Sequence, residues 1–162
     1  MTYILMDNQV YGMTKGQASP TTAPDWCESK LTPDGTGMAP VMPFHLALAA
    51  GVSFFARGFA GNPNELARLI AAGIRHPGFA VIHVLSPCVT FRAEQRVWKQ
   101  AVHALDGAPA TSPPEAMARF ATDDGFTTGI LYAGNAPLFA PRRERTMRVD
   151  DFAEGFRVDL AS

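Results

Sequence analysis

The run Phe79-Ala80-Val81-Ile82-His83-Val84-Leu85 is the clearest buried strand in the sequence, and it stops at Ser86-Pro87-Cys88. An apolar run of strand length bounded by turn residues reads as a strand that is covered rather than solvent-facing. A second run, Thr2-Tyr3-Ile4-Leu5-Met6, ends at Asp7-Asn8 in the same manner. Residues 43–50 have helical composition, with Pro43 in the first turn and Gly51 as a stop. Residues 52–59 read as a strand whose Arg57 and Gly58 emerge into a loop. Asn62-Pro63-Asn64-Glu65 is a helix start, followed at helical spacing by Leu66, Leu69, Ile70 and Ile74 and closed by His76-Pro77-Gly78. Further helices are predicted over 93–105 and 113–122, and a late edge strand over 127–132. Helices alternating with short apolar strands imply an α/β fold with a mostly parallel sheet. Sheets of this kind bind ligands at the carboxyl ends of their strands.

At 162 residues the chain fits one domain, and 47% hydrophobic against 18% charged residues is enough to bury a core. Fourteen basic and fifteen acidic side chains leave a net charge of −1 without long like-charge runs, which excludes the footprint of a nucleic-acid or anionic-membrane binder. No apolar stretch approaches the roughly 18 residues of a membrane span, and the N-terminus lacks a signal-peptide layout, so a cytoplasmic location is expected. Cys27 and Cys88 are too few for a disulfide framework and lack the paired spacing of a self-contained metal site. Residues 17–43 form a long Pro-, Thr- and Gly-rich loop, and a loop of that length inside a compact domain calls for a functional reason.

Two strand ends therefore carry the chemistry: Asp7 to Gly12 and Ser86 to Thr90. The first offers the Asn8 amide oxygen, backbone carbonyls, and Gly12 and Gly16, where a ligand can approach the backbone closely. Hard oxygens of this type suit Mg²⁺, which completes its octahedron with water and phosphate. The same residue types also fill ordinary turns after strands. His83, between Ile82 and Val84, reads as a packed core histidine, and His45, His76 and His103 as histidines without a partner. No Ser-His-Asp arrangement, H-E-x-x-H or phosphate-cradling G-x-x-x-x-G-K-[ST] is present.

The order of residues from Met6 to Thr22, Met-Asp-Asn-Gln-Val-Tyr-Gly-Met-Thr-Lys-Gly-Gln-Ala-Ser-Pro-Thr-Thr, closely resembles the thiamine-diphosphate loop in the β subunit of 2-oxoacid:ferredoxin oxidoreductases. Ser86-Pro87-Cys88-Val89-Thr90-Phe91 is a second match at a later strand end, and Trp26-Cys27-Glu28-Ser29-Lys30 also resembles the family. The resemblance spans essentially the whole chain and is strongest through about residue 105.

It implies an enzyme that decarboxylates a 2-oxoacid on thiamine diphosphate, passes electrons through an iron-sulfur cluster to ferredoxin, and delivers the acyl group to coenzyme A. By family likeness Asn8 gives a side-chain oxygen and Val10 a backbone carbonyl to Mg²⁺, with Asp7 as a structural residue before them. Tyr11, Gly12, Met13 and Thr14 line the cofactor or substrate pocket, Met13 near the variable group of the substrate, and the turn from Lys15 to Gln17 completes it. Cys88 resembles the last of four thiolates on a [4Fe–4S] cluster. Cys27 occupies no ligand position of the family and reads as a buried small hydrophobe. Lys15 in the Y-G-M-T-K-G-Q form favours 2-oxoglutarate over pyruvate. A contact of Arg142, Arg143 and Arg145 with ferredoxin is the lesser reading of a run that is most simply solvated surface.

The family pattern has a Gly-Asp-Gly segment, three further cluster cysteines and a basic substrate residue upstream of the Asp7-Asn8 segment, and this sequence contains none of them. The expectation is a partial thiamine-diphosphate-binding fold lacking its N-terminal half: residues 1–135 the C-terminal part of that domain, residues 136–162 the C-terminal tail with a short helix near 150–156. An α subunit is the implied partner in a heteromer. Alone, such a piece would be marginally stable, bind Mg²⁺-thiamine diphosphate poorly and hold no cluster, because missing strands uncover apolar faces and an unpaired edge. The alternative reading is a catalytically silent fragment or assembly module that pairs with the α subunit. Another thiamine-diphosphate lyase is disfavoured, since Ser-Pro-Cys has no duty there.

Overall fold

A computed structural model describes residues 1–27 and 30–135. The elements are β1 (Thr2–Asp7), α1 (Pro43–Ala49), β2 (Phe54–Phe59), α2 (Pro63–Arg75), β3 (Ala80–Leu85), a 3-10 turn (Ala93–Val97), α3 (Trp98–Ala101), β4 (His103–Ala104), α4 (Pro113–Phe120) and β5 (Thr127–Ala133). The strands form one sheet in the order β1-β3-β2-β5-β4. Among the described strands β3 pairs in parallel with β1 and with β2, β4 pairs in parallel with β5, and β2 pairs with β5 antiparallel. The expected mostly parallel α/β sheet is thus the observed one.

Local chemistry explains the helix starts. The Asn62 side chain accepts from the Glu65 N–H while its own amide donates to the Glu65 carboxylate, a reciprocal cap, and Pro63 opens the helix. At α4 Ser112 Oγ accepts from the Glu115 N–H and Pro113 opens the helix, while the Glu115 carboxylate accepts from the Thr111 N–H. β2 and β3 are buried along their whole length, and their alternate residues face opposite layers. Phe55 and Val81 pack with Phe44, Ala47, Phe120 and Leu131 under α1 and α4. Phe54, Ala56, Ala80, Ile82 and Val84 pack with Leu69 of α2 on the other face. α2 lies so close that a Cβ at Gly73 would sit 3.0 Å from Cδ1 of Ile82.

Four local expectations need correction. The strand at 127–132 is not at an edge: β5 lies between β2 and β4, and the edges are β1 and β4. The helix over 93–105 is a 3-10 turn followed by one turn of α-helix, which ends at Ala101. Gln95 and Trp98 are both buried and three residues apart, the repeat of the tighter helix. Arg57 does not emerge into a loop but stays buried inside β2, since Asp123, the Thr127 carbonyl and His83 satisfy its guanidinium. His76 and His103 do have partners: Ser53 Oγ lies 2.8 Å from His76 Nε2, and Asp124 Oδ2 3.1 Å from His103 Nε2. The short helix expected near 150–156 and the arginine run lie outside the described residues. Among the described residues no helix is long and apolar enough to cross a membrane.

Candidate cofactor-binding site

β1 and β3 run in parallel register with Asp7 opposite Leu85, so Asn8 and Ser86 leave the sheet at the same carboxyl rim. The Ser86 N–H donates to the Asp7 carbonyl at 2.9 Å and seals that corner. Beyond it the chain closes a tight loop. The Tyr11 N–H donates to Gln17 O at 2.8 Å and the Gly16 N–H to Tyr11 O at 3.1 Å, with Lys15 (φ 71°) and Gly16 (φ 92°) both left-handed. This loop lies on the second strand end. A Cβ built on Gly12 would stand 3.5 Å from Cys88 Sγ, and one on Gly16 3.0 Å from the Phe91 ring.

The loop oxygens divide into those that are engaged and those that are not. The Asn8 carbonyl accepts from the Gln95 amide at 2.9 Å, and the Gln9 carbonyl accepts from the Thr22 hydroxyl at 2.6 Å and from Arg92 Nη1 at 3.0 Å. Gln9 itself is held at φ 54°, a conformation a side chain rarely adopts. Among the described residues Asn8 Oδ1 accepts the Val10 N–H alone, at 3.1 Å, leaving a lone pair. Among the described residues no hydrogen bond reaches the carbonyl of Val10, although that residue is only 2% exposed. A carbonyl in so closed a setting normally has a partner, and this one is a hard oxygen of the kind Mg²⁺ takes. The described residues contain no group of three His, Cys, Asp or Glu side chains able to hold a metal. The donor set fits a cation that shares its shell with other ligands, not one caged by this chain.

Beneath the loop Asp7, 6% exposed, anchors a row of buried polar groups. Its Oδ1 accepts from the Thr21 hydroxyl at 2.6 Å and from the Gln9 N–H at 3.0 Å; its Oδ2 lies 3.0 Å from His83 Nε2. Arg57 Nε donates to His83 Nδ1 at 3.3 Å, so Nδ1 carries the lone pair and Nε2 the proton that goes to Asp7. Arg57 Nη1 then pairs with Asp123 at 2.7 Å. Burial pushes the Asp7 carboxyl up, but the bonds from His83, Thr21 and Gln9 together outweigh it and hold Asp7 below the usual carboxylate range. Asp7 is an ionised strut that fixes where the loop leaves β1.

Asp7, Asn8, Val10 and Tyr11 line one cleft of about 280 Å³, together with Leu5, Met6, Thr21, Val41, Pro43 and Leu46. The cleft thus lies between β1 and the long loop, whose Pro20 carbonyl accepts from the Val41 N–H. Gly12 faces Cys88 instead, Thr14 caps the turn by donating to the Tyr11 carbonyl at 3.1 Å, and Met13 is fully exposed at the tip. Cys88 is half-buried and its backbone N–H donates to Gln95 Oε1 at 2.7 Å. Its thiol can furnish one corner of an iron-sulfur cluster, which takes further thiolates from elsewhere. Cys27 is exposed rather than buried, because its neighbour Trp26 takes the inward position under the Arg92 guanidinium, 4.8 Å from the ring. Arg92 and Gln95 escape sequence reasoning: Gln95 sits in a segment read as an ordinary helix and Arg92 directly before it, and the signal left is that both follow Cys88 by less than eight residues.

A mostly parallel sheet with two loops meeting at its carboxyl rim defines a cofactor-binding α/β domain. The profile described as "Thiamine pyrophosphate enzyme, C-terminal TPP binding domain" matches residues 1–84, just over half of the chain, and the chain belongs to this family. It is 36% identical over 137 residues to the 2-oxoacid:ferredoxin oxidoreductase subunit beta of Saccharolobus solfataricus, covering 81% of this chain and 43% of that one. It is 38% identical over 90 residues to the 2-oxoglutarate synthase subunit KorB of Archaeoglobus fulgidus, covering 56% and 33%. The solved 2-oxoglutarate:ferredoxin oxidoreductase from Magnetococcus marinus, with 2-oxoglutarate, coenzyme A and succinyl-CoA bound, superposes with a TM-score of 0.75 at 33% identity. The superposition covers 99% of this chain and 55% of that one. The chain spans less than half the length of these two curated relatives.

Proposed function

We propose that this chain is the thiamine-diphosphate-binding part of a 2-oxoacid:ferredoxin oxidoreductase β subunit, acting on 2-oxoglutarate. Asn8 Oδ1 and the Val10 carbonyl hold Mg²⁺ against the cofactor diphosphate, and the single observation that carries this is the unmatched Val10 carbonyl beside a half-used Asn8 amide oxygen. Thiamine diphosphate supplies the electron sink for loss of CO₂. Asp7, held by His83 and Thr21, sets the exit angle of the loop, whose Gly12 lies beside Cys88. Tyr11 borders the cofactor cleft, while the exposed Met13 and Thr14 form a rim that faces a partner or the variable end of the substrate. Cys88 is one thiolate of a [4Fe–4S] cluster adjoining the cofactor loop. The working unit is a heteromer with an α subunit, in the cytoplasm, that uses coenzyme A as acyl acceptor and ferredoxin as electron acceptor. The 2-oxoglutarate preference rests on Lys15 in the loop and on the 2-oxoglutarate-acting relatives named above.

The test is co-expression of the complete β subunit with its α subunit and assay of 2-oxoacid- and coenzyme-A-dependent reduction of a viologen dye. Activity with 2-oxoglutarate, reduced at least about a hundredfold by Asn8→Ala, is the expected result. A complex that binds no thiamine diphosphate, or whose activity is indifferent to Asn8, overturns the reading.

A further inference from the structure

Gln95 is 1% exposed, and its one carboxamide spans the two strand ends: Oε1 accepts from the Cys88 N–H at 2.7 Å and Nε2 donates to the Asn8 carbonyl at 2.9 Å. The Asn8 carbonyl belongs to the peptide that leads into Gln9, so whatever holds it also holds the left-handed φ of 54° at that residue. Such a conformation persists only where the surroundings over-determine it. Arg92, from the same turn, grips the next carbonyl, and the turn is itself stapled to Cys88, whose carbonyl accepts from the Arg92 N–H at 2.8 Å. The two strand ends are therefore one mechanical unit, joined through a side chain with no water-facing atom to spare.

We infer that Gln95 is a positioning residue that couples the Asn8–Val10 oxygens to the backbone of Cys88, so that metal-cofactor binding at one strand end orders the other. This rests on the functional reading above. Coupling between two sites is reciprocal, so the Cys88 turn in its proper shape also strengthens cofactor binding.

The test uses the assembled oxidoreductase. Mg²⁺-dependent thiamine diphosphate affinity is measured by calorimetry for wild type, Gln95→Met and Leu69→Ala, the last a core truncation on the opposite face of the sheet. Gln95→Met keeps the shape but removes both hydrogen bonds, and a Kd weakened by about tenfold is expected. Leu69→Ala lowers Tm and leaves Kd unchanged. A lowered Tm with wild-type affinity in Gln95→Met makes the residue merely structural and overturns the inference. Hydrogen exchange on the wild-type complex needs no variant to fold: adding Mg²⁺ and thiamine diphosphate is expected to protect residues 5–17 and 86–98 together. Protection confined to 5–17 overturns the coupling, whereas a wild-type complex that takes up no thiamine diphosphate overturns the functional reading itself.

Discussion

His83 Nε2 stands 3.0 Å from Asp7 Oδ2 across 76 residues of chain, and the same ring accepts from Arg57 on its other nitrogen. The imidazole thus separates a buried carboxylate from a buried guanidinium and satisfies both. His83→Phe leaves each without that partner and is expected to cost about 2–4 kcal/mol. His83→Gln, whose amide can donate to Asp7 and accept from Arg57, should lose less than half as much. Urea denaturation of the two variants compares them; equal losses would mean that ring packing, not hydrogen bonding, is what the position supplies.

Glycine at position 16 is required on two counts and at position 12 on neither. Gly16 has φ 92° and a Cβ there would press to 3.0 Å on Phe91, whereas a Cβ at Gly12 would meet Cys88 Sγ at an ordinary 3.5 Å. Gly16→Ala is expected to destabilise by about 1–3 kcal/mol. Gly12→Ala should stay within about 0.5 kcal/mol. Thermal unfolding reads both.

The exposed pair His103–Asp124 gives a pH prediction. Its hydrogen bond to Asp124 is the main cause that lifts His103 above the ordinary 6.5, and the Phe126 N–H first, then His103, hold Asp124 below the ordinary 3.8. A raised histidine stabilises fully below its unfolded value and loses that contribution as pH rises through its folded value; a depressed carboxylate contributes above its unfolded value and loses it as pH falls through its folded one. The pair therefore helps most between about pH 4 and 6.5. NMR titration of the His103 ring should show a midpoint that drops in Asp124→Asn; an unmoved midpoint would remove Asp124 as the cause.

The edge strand β1 presents Tyr3, Ile4 and Met6 at 55%, 43% and 60% exposure. An open strand edge with an apolar surface invites pairing with another chain. The 162-residue chain expressed alone is expected to self-associate, and Ile4→Lys with Met6→Thr to reduce that association. Sedimentation velocity follows it; a monodisperse parent chain would show the surface to be innocuous.

Much of this architecture is legible in the amino-acid sequence. The runs 2–6 and 79–85 are apolar enough to be strands whatever surrounds them, so the shared rim of Asp7 and Ser86 follows once the sheet is parallel. Arg57 is the counterexample. A charged residue near a strand end reads as a departure to solvent, and its burial depends on Asp123, 66 residues away, which no local pattern announces. Gln95 is hidden for the same reason: its two partners come from a strand end seven residues back and a loop 87 residues back. Trp26 and Cys27 show that which of two neighbours turns inward is decided by what the inward one meets, here Arg92. Long-range polar matches are decided by the packed whole, while apolar periodicity is decided locally.

The row Asp7, His83, Arg57 and Asp123 crosses β1, β3 and β2 and ends beyond them. Each interior member has one hand for each neighbour, so a replacement that cannot make both contacts strands the two beside it. For protein engineering the row therefore behaves as one unit tied at Asp7 to Thr21 and Gln9: randomising these positions one at a time should return mostly destabilised clones, apart from replacements such as His83→Gln that keep both contacts.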